Sequence, residues 1–179
     1  LKGIVTGATT EGVEELKKST IKVVNTSLGG TNPENGAKVL AAGSNAGGNA
    51  GLEAAAIVSS VRGEEMLAAI VKSGEDKAKA ITANAGVNTS ALEFAVGGST
   101  AANLAQDAAL ASAVSGGIAL RSLVKDGKLA SHSGNDNKGV EIAGISATNK
   151  LLGAIDDIIK ETVKKVFDKV KKEVNNAKK

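Results

Sequence analysis

Cysteine, tryptophan and tyrosine are absent from this chain of 179 residues, which has one proline, one methionine and one histidine, His132. Its only aromatic side chains are Phe94 and Phe167. Without cysteine there is no disulfide framework and no thiolate metal site. Aromatic rings usually bring the largest buried areas, so the core must come from Ala, Val, Ile and Leu, with helices packed closely through small residues and modest stability. The same lack removes the usual anchors of tight protein interfaces and the stacking platforms of single-strand nucleic-acid binders. No nucleic-acid partner is expected. No apolar run approaches the roughly 18 residues of a bilayer span, and there is no signal-peptide pattern. The chain begins at Leu1 rather than Met, as a piece of a longer protein would.

The catalytic menu is correspondingly short. His132 sits in SHSGNDNKG (Ser131–Gly139), an exposed polar loop, with no carboxylate placed to orient it as in a serine triad. That Asn/Asp run does not fit calcium-loop spacing and lacks the terminal Glu. The glycines of GSNAGGNAG (Gly43–Gly51) have no Gly-Lys-Ser/Thr ending and no preceding strand, which argues against a phosphate loop. Asp156 and Asp157 are neighbours on a helix and point about 100° apart. No enzyme activity, cofactor or metal site is expected. Asn25-Thr-Ser27 and Asn88-Thr-Ser90 match the glycosylation sequon, a short motif in Thr/Ser-rich sequence.

What the chain has in abundance is glycine, 22 residues of it, and alanine. The strongest pattern is C-terminal, Thr148–Val174, where Leu152, Ile155, Ile159, Val163, Val166, Val170 and Val174 recur with a mean step of about 3.67 residues. That is helical rather than coiled-coil periodicity, and Leu151, Ile158 and Phe167 widen the stripe into a face suited to a globular core. Asp156–Lys160, Glu161–Lys165 and Asp168–Lys172 are i,i+4 pairs that support the helix.

Upstream, Val13, Leu16, Ile21, Val24 and Leu28 predict a helix over residues 9–26, capped by Thr10, as the local partner of the C-terminal helix. A short helix follows Asn32 and Pro33 and runs through Ala37–Ala42. Leu52–Ser60 and Glu64–Lys72 predict two apolar helices. Ser60 caps the second, and Glu64 and Glu65 sit where the dipole favours acids. A weak helix is expected around Glu75–Ala83 and a short one at Ala91–Val96. Ala101–Lys125, nearly all small and apolar, predicts one helix in the centre of a bundle, with Gly116–Gly117 as a kink or a point of close approach, ending at Asp126–Gly127. Lys128–Ala130 fits a short strand or a turn. The fold expected is all-α: an irregular helical bundle with long Gly/Asn/Ser-rich loops (Gly29–Gly51, Ser73–Ser99, Asp126–Gly139) and at most a few short strands, in a single domain over residues 1–179.

The net charge of +3 is uneven. From Lys160 onward eight lysines stand against three acids, a net of +5, leaving −2 for the rest of the chain. Lys164, Lys165, Lys171 and Lys172 are therefore candidate contacts for a polyanion, although cations near a helix C-terminus are equally a dipole complement and a solvated face.

Three stretches carry a family resemblance. GIALRSLVKDGKLA (Gly117–Ala130) resembles the invariable segment of the variable large proteins of relapsing-fever Borrelia, outer-surface lipoproteins related to the Lyme antigen VlsE. AAAIVSSVRGEEMLAAIVKSG (Ala54–Gly74) and NKLLGAIDDIIKETVKKVFDKVKKEV (Asn149–Val174) agree with the same family, in order and at the right intervals. The resemblance implies the C-terminal part of a longer surface lipoprotein, tethered to the outer membrane by an acylated N-terminal cysteine absent from this chain. It implies a helical scaffold with outward-facing variable loops, and antigenic variation as the function, with host antibodies as partners. Gly117–Ala130 is expected to be buried by its apolarity. The alternative is an adhesin whose lysine-rich face captures a host glycosaminoglycan or a complement protein; a third reading is a structural homo-oligomer.

Overall fold

The computed structural model describes residues 1–26, 32–43, 46, 48–132 and 134–178. Of these residues 64% are helical, and no sheet forms among them. Seven α-helices follow one another: α1 (Lys2–Thr10), α2 (Gly51–Ser59), α3 (Gly63–Lys72), α4 (Ala91–Val96), α5 (Ala101–Leu104), α6 (Ala111–Leu123) and α7 (Gly134–Ala177). Three 3-10 segments lie between them, the longest at Pro33–Leu40.

The core forms where α2, α3 and α6 meet the first half of α7. α6 is buried from Ala111 to Ala119 without a break, a run made of Ala, Ser, Gly and Val apart from Ile118, which lets its neighbours pack close. A Cβ on Gly117 would lie 2.5 Å from the Phe94 Cβ, and one on Gly116 would lie 3.0 Å from the Ala91 Cβ. The Gly116–Gly117 pair therefore lets α4 and α3 approach, and α6 runs through it as one helix.

α2 lies parallel to α7. Its first residue, Gly51, meets the α7 backbone so closely that a Cβ there would fall 2.6 Å from the Val140 amide nitrogen; one on Gly139 would fall 2.7 Å from the Gly51 carbonyl carbon. Asp136 sits at that junction. Its Oδ1 accepts from the Gly51 and Ala50 amides at 2.7 and 3.0 Å, and its Oδ2 from the His132 amide at 2.9 Å. At the other end, the Lys150 ammonium donates to the carbonyls of Val58, Ser59 and Val61 at 2.7–3.1 Å. α7 thus places an anion at the N-terminus of α2 and a cation at its C-terminus, each matching the helix dipole.

Several sequence expectations hold. α2, α3 and α4 fall at the predicted places, and Glu65 works within the first turn of α3, its Oε2 accepting from the Arg62 amide at 2.9 Å. Others need correction. Ser60 does not cap α3; its hydroxyl donates back to the Ile57 carbonyl at 2.7 Å. The predicted helix over residues 9–26 is absent. α1 ends at Thr10, Gly12 adopts a φ of +88°, and the chain then runs without helix to Lys22. There the β-branched run pairs across to residues 109–111, the Val23 amide donating to the Ala109 carbonyl at 2.8 Å and the Ala111 amide to the Ile21 carbonyl at 2.9 Å. That pairing also splits the predicted Ala101–Lys125 helix, because the stretch between α5 and α6 leaves helical geometry to meet it. Leu28, Ser27 of the first glycosylation sequon, and Gly29–Thr31, Ser44, Asn45 and Gly47 of the first predicted loop lie outside the described residues.

The three long loops are more structured than their composition suggests. Pro33–Leu40 is a 3-10 helix with Ala37, Val39 and Leu40 fully buried. Glu75–Ala83 holds only one 3-10 turn, but Ile81 and Ala85 anchor that loop through amide bonds to Gly97 and Asn103. α7 starts at Gly134, inside the predicted third loop, because Asp136 is claimed by the turn that caps α2.

α7 is 44 residues long, about 66 Å at 1.5 Å per residue. Its buried face is Val140, Ala143, Ala147, Leu151, Ala154 and Ile158; of the residues that widen the predicted stripe Leu151 and Ile158 are buried and Phe167 is exposed, and most of the stripe itself faces out. Leu152, Ile159, Val163, Val166, Val170 and Val174 are each 41–54% exposed, and only Ile155 packs partly on the core. α1 and the segment after it reach past the middle of the helix on one side but leave the stripe itself exposed. Val13 and Leu16 border a groove with Ala154 and Ile158, and Glu11 pairs with Lys169 at 2.9 Å.

Burial pushes the Asp136 carboxyl up, but its three amide bonds and nearby His132 outweigh that and hold it below the ordinary value. A depressed folded-state pKa contributes stability above the unfolded value, near pH 4, and loses it as pH falls through the folded value. Asp136→Asn is therefore expected to lower the unfolding free energy by about 1.5–3 kcal/mol at pH 7. The difference from the parent should shrink below about pH 3, as read by urea melts at both pH values.

Candidate functional site

The stretch Gly117–Ala130 divides into two halves. Gly117, Ile118, Ala119 and Arg121 are buried, and so is Ala130, whose amide donates to the Val39 carbonyl at 2.7 Å. Ser122 to Lys128 are all exposed, with Leu123 at 47% and Val124 at 58%. The expectation that the whole stretch is buried is corrected on that half. α6 ends at Leu123, and the chain turns at Asp126, which has a φ of +61°. Its apolar side chains there have nothing above them among the described residues.

Arg121 is the pivot of the buried half. Its Nε donates to the Ala95 carbonyl at 2.8 Å and its Nη1 to the Ala41 carbonyl at 3.0 Å. One guanidinium thereby ties α6 to the last turn of α4 and to the end of the Pro33–Leu40 helix. Burial lowers its pKa, yet an arginine stays charged at any physiological pH. The carbonyls at the dipole-negative end of α4 favour a cation in that place. Gly97 completes the clamp: with φ at +76°, its missing Cβ would lie 1.9 Å from the Leu40 carbonyl oxygen and 2.3 Å from the Arg121 guanidinium. In the sequence Arg121 is one charge within a stretch that is nearly all small and apolar, and nothing in the local pattern points to this role.

Lys164, Lys165, Lys171 and Lys172 all lie on the exposed C-terminal half of α7. They form two rows seven residues apart, Lys164 with Lys171 and Lys165 with Lys172, on turns where no side chain is buried. Among the described residues none of the four is in an ion pair. No group of three or more His, Asp or Glu placed to hold a metal occurs among the described residues, and no described helix is long and apolar enough to cross a membrane.

The remaining exposed surface comes from loops held at their ends. In the α3–α4 connection, Lys79, Ala83, Asn84 and Asn88 face solvent between the buried anchors Ile81, Ala85 and Ala91. Ser90 closes the loop with a capping box: its amide donates to Glu93 Oε2 at 2.9 Å, and the Glu93 amide donates to its hydroxyl at 3.2 Å. The geometry is that of a rigid scaffold presenting changeable surface.

Comparisons with known proteins agree with that geometry. The sequence pattern of the Borrelia lipoprotein family matches residues 1–174. Variable large protein 25 of Borrelia hermsii is 54% identical over 178 residues, covering 99% of this chain and 48% of its own length. Variable large protein 21 of the same organism is 52% identical over 181 residues, with the same coverage. Among solved structures, the Lyme disease variable surface antigen VlsE of Borrelia burgdorferi superposes with a TM-score of 0.67 at 27% identity, covering 95% of this chain and 64% of that one. The chain spans about half the length of the curated relatives it matches.

Arg121→Lys is expected to destabilise the fold by about 2–4 kcal/mol, since an ammonium cannot reproduce the fork that reaches two carbonyls. Thermal melts monitored by circular dichroism measure it. Ser115→Ala is the contrasting control. The Ser115 hydroxyl is buried with no hydrogen-bond partner, so its removal should leave stability equal or up to about 1 kcal/mol higher.

Proposed function

The chain belongs to the Borrelia lipoprotein family, and from that membership we propose that it is part of a variable surface antigen that evades immunity by exchanging exposed sequence on a constant scaffold. The observation that carries the reading is the similarity to variable large proteins along 99% of the chain. The structure supplies a physical basis. Surface loops accept substitution at little cost when their ends are fixed, and the clamps formed by Arg121, Asp136 and Lys150 lie below that surface. The proposed partners are host antibodies. The proposed location is the cell surface, with lipid anchorage in the outer membrane.

The outward stripe on α7, from Leu152 to Val174, is the surface on which we propose that further protein of the longer molecule packs. An exposed apolar row of this length is an interaction surface. Lys164, Lys165, Lys171 and Lys172 flank it and remain solvated in this reading. Capture of a glycosaminoglycan or complement protein has no specific observation in its favour.

Simultaneous replacement of Lys79, Ala83, Asn84 and Asn88 by Glu, Thr, Asp and Thr tests the division of labour. Stability should change by no more than about 0.5 kcal/mol per site, while binding of antibodies raised against the parent loop falls sharply in an immunoassay. Unchanged antibody binding, or a collapsed fold, contradicts the reading.

A further inference from the structure

We propose that the cavity between α3 and the start of α6 is a binding site for a small amphipathic carboxylate, an organic acid with a short apolar body. The cavity measures about 210 Å³, below the roughly 300 Å³ at which sites for drug-sized ligands begin, so its occupant is fragment-sized. Its chemistry is divided. Ala68, Ala69, Val87, Leu110 and Ala113 give it apolar walls, and three lysines, the exposed Lys18 and Lys72 and the half-buried Lys77, also line it.

Those charges are not spent elsewhere. Among the described residues, none of the three lysines is in an ion pair. The one carboxylate lining the cavity, Glu65, is already engaged by the Arg62 amide at 2.9 Å and by the Arg62 guanidinium at 3.7 Å. Glu93, whose field also reaches Lys77, is held by the Ser90 amide and hydroxyl. The lining therefore carries surplus positive charge. The first turn of α6 adds to it, since it has no acidic residue and no side-chain cap, and its Ser112 and Ala113 face the same space. An inorganic anion would satisfy the charge and leave the apolar walls wet; a neutral hydrocarbon would do the reverse. A carboxylate on a short chain satisfies both. The site borders the exposed α3–α4 loop at Val87 and Asn88, and it is separate from the outward stripe of α7.

Hexanoate is the probe, with inorganic phosphate and 1-hexanol as controls, titrated into the 179-residue chain and followed by amide chemical shifts. Saturable shifts centred on Val87, Ser112 and Ala113 are expected with hexanoate, at a Kd on the order of 1 mM for so small a ligand. The paired substitution Lys72→Gln, Lys77→Gln, on exposed or half-buried surface, should weaken binding by about tenfold or more. Val87→Trp, at a rim position 47% exposed, should plug the cavity and abolish it while circular dichroism stays unchanged. If Val87→Trp misfolds, the lysine pair carries the test alone. Absence of saturable shifts, shifts centred elsewhere, equal binding of phosphate or hexanol, or hexanoate affinity unaffected by the lysine pair would each overturn the proposal.

Discussion

Everything in this fold leans on the seating of α2 against the first half of α7. Two helices running parallel place like ends of their dipoles side by side, an arrangement that gains nothing electrostatically. Here the backbones nonetheless approach through Gly51 and Gly139 to a distance that excludes a Cβ on either. The close approach is made tolerable by what α7 carries at each end of α2. Asp136 accepts the two amides at its start, and Lys150 fills the carbonyls at its finish. Charge-assisted bonds of this kind are stronger than neutral ones, and Asp136 is also buried from water. From this seating the rest is positioned. Gly63, at the start of α3, packs against the Lys150 carbonyl, α3 then reaches α6, and Arg121 on α6 reaches α4 and the Pro33–Leu40 helix.

The second half of α7 stands outside this system. No residue beyond Ile158 is buried, although the apolar periodicity continues to Val174. The helix thus has two apolar faces, an inner one of small residues that meets α2 and an outer one of larger β-branched residues. Small side chains serve the inner face because two backbones must come close. The outer face, flanked by lysines, carries the bulk.

This explains which features could be read from the sequence. α3 and α4 were legible because acids at their starts and apolar residues at helical spacing agree with the tertiary outcome. The stripe on α7 was legible as a helix but pointed to the wrong face, since periodicity weights Ile and Val above Ala, and Ala143, Ala147 and Ala154 are what the core selected. The residue 9–26 helix breaks first at Gly12, with its positive φ, and its far end and the unbroken Ala101–Lys125 helix then fail together. Local propensity favoured helix in the second of these, and a single long-range pairing of residues 21–23 with residues 109–111 overrode it. Of the candidate site, the exposure of Lys164, Lys165, Lys171 and Lys172 was predictable from charge alone. The clamps of Arg121, Asp136 and Lys150 were not, because each acts on carbonyls or amides that are between 26 and 92 residues away in sequence, apart from the His132 amide four residues from Asp136.

Native-state hydrogen exchange across a denaturant series tests the role of the α2–α7 seat most directly. If that seat holds the fold, the amides of Ala54, Ile57 and Val58 on α2 and of Ala143, Ala147 and Leu151 on α7 open together, with one free energy equal to that of global unfolding. Amides beyond Val163 should open at lower free energy by fraying. Exchange of α2 through an independent, less costly opening, with the first half of α7 still protected, would contradict the account.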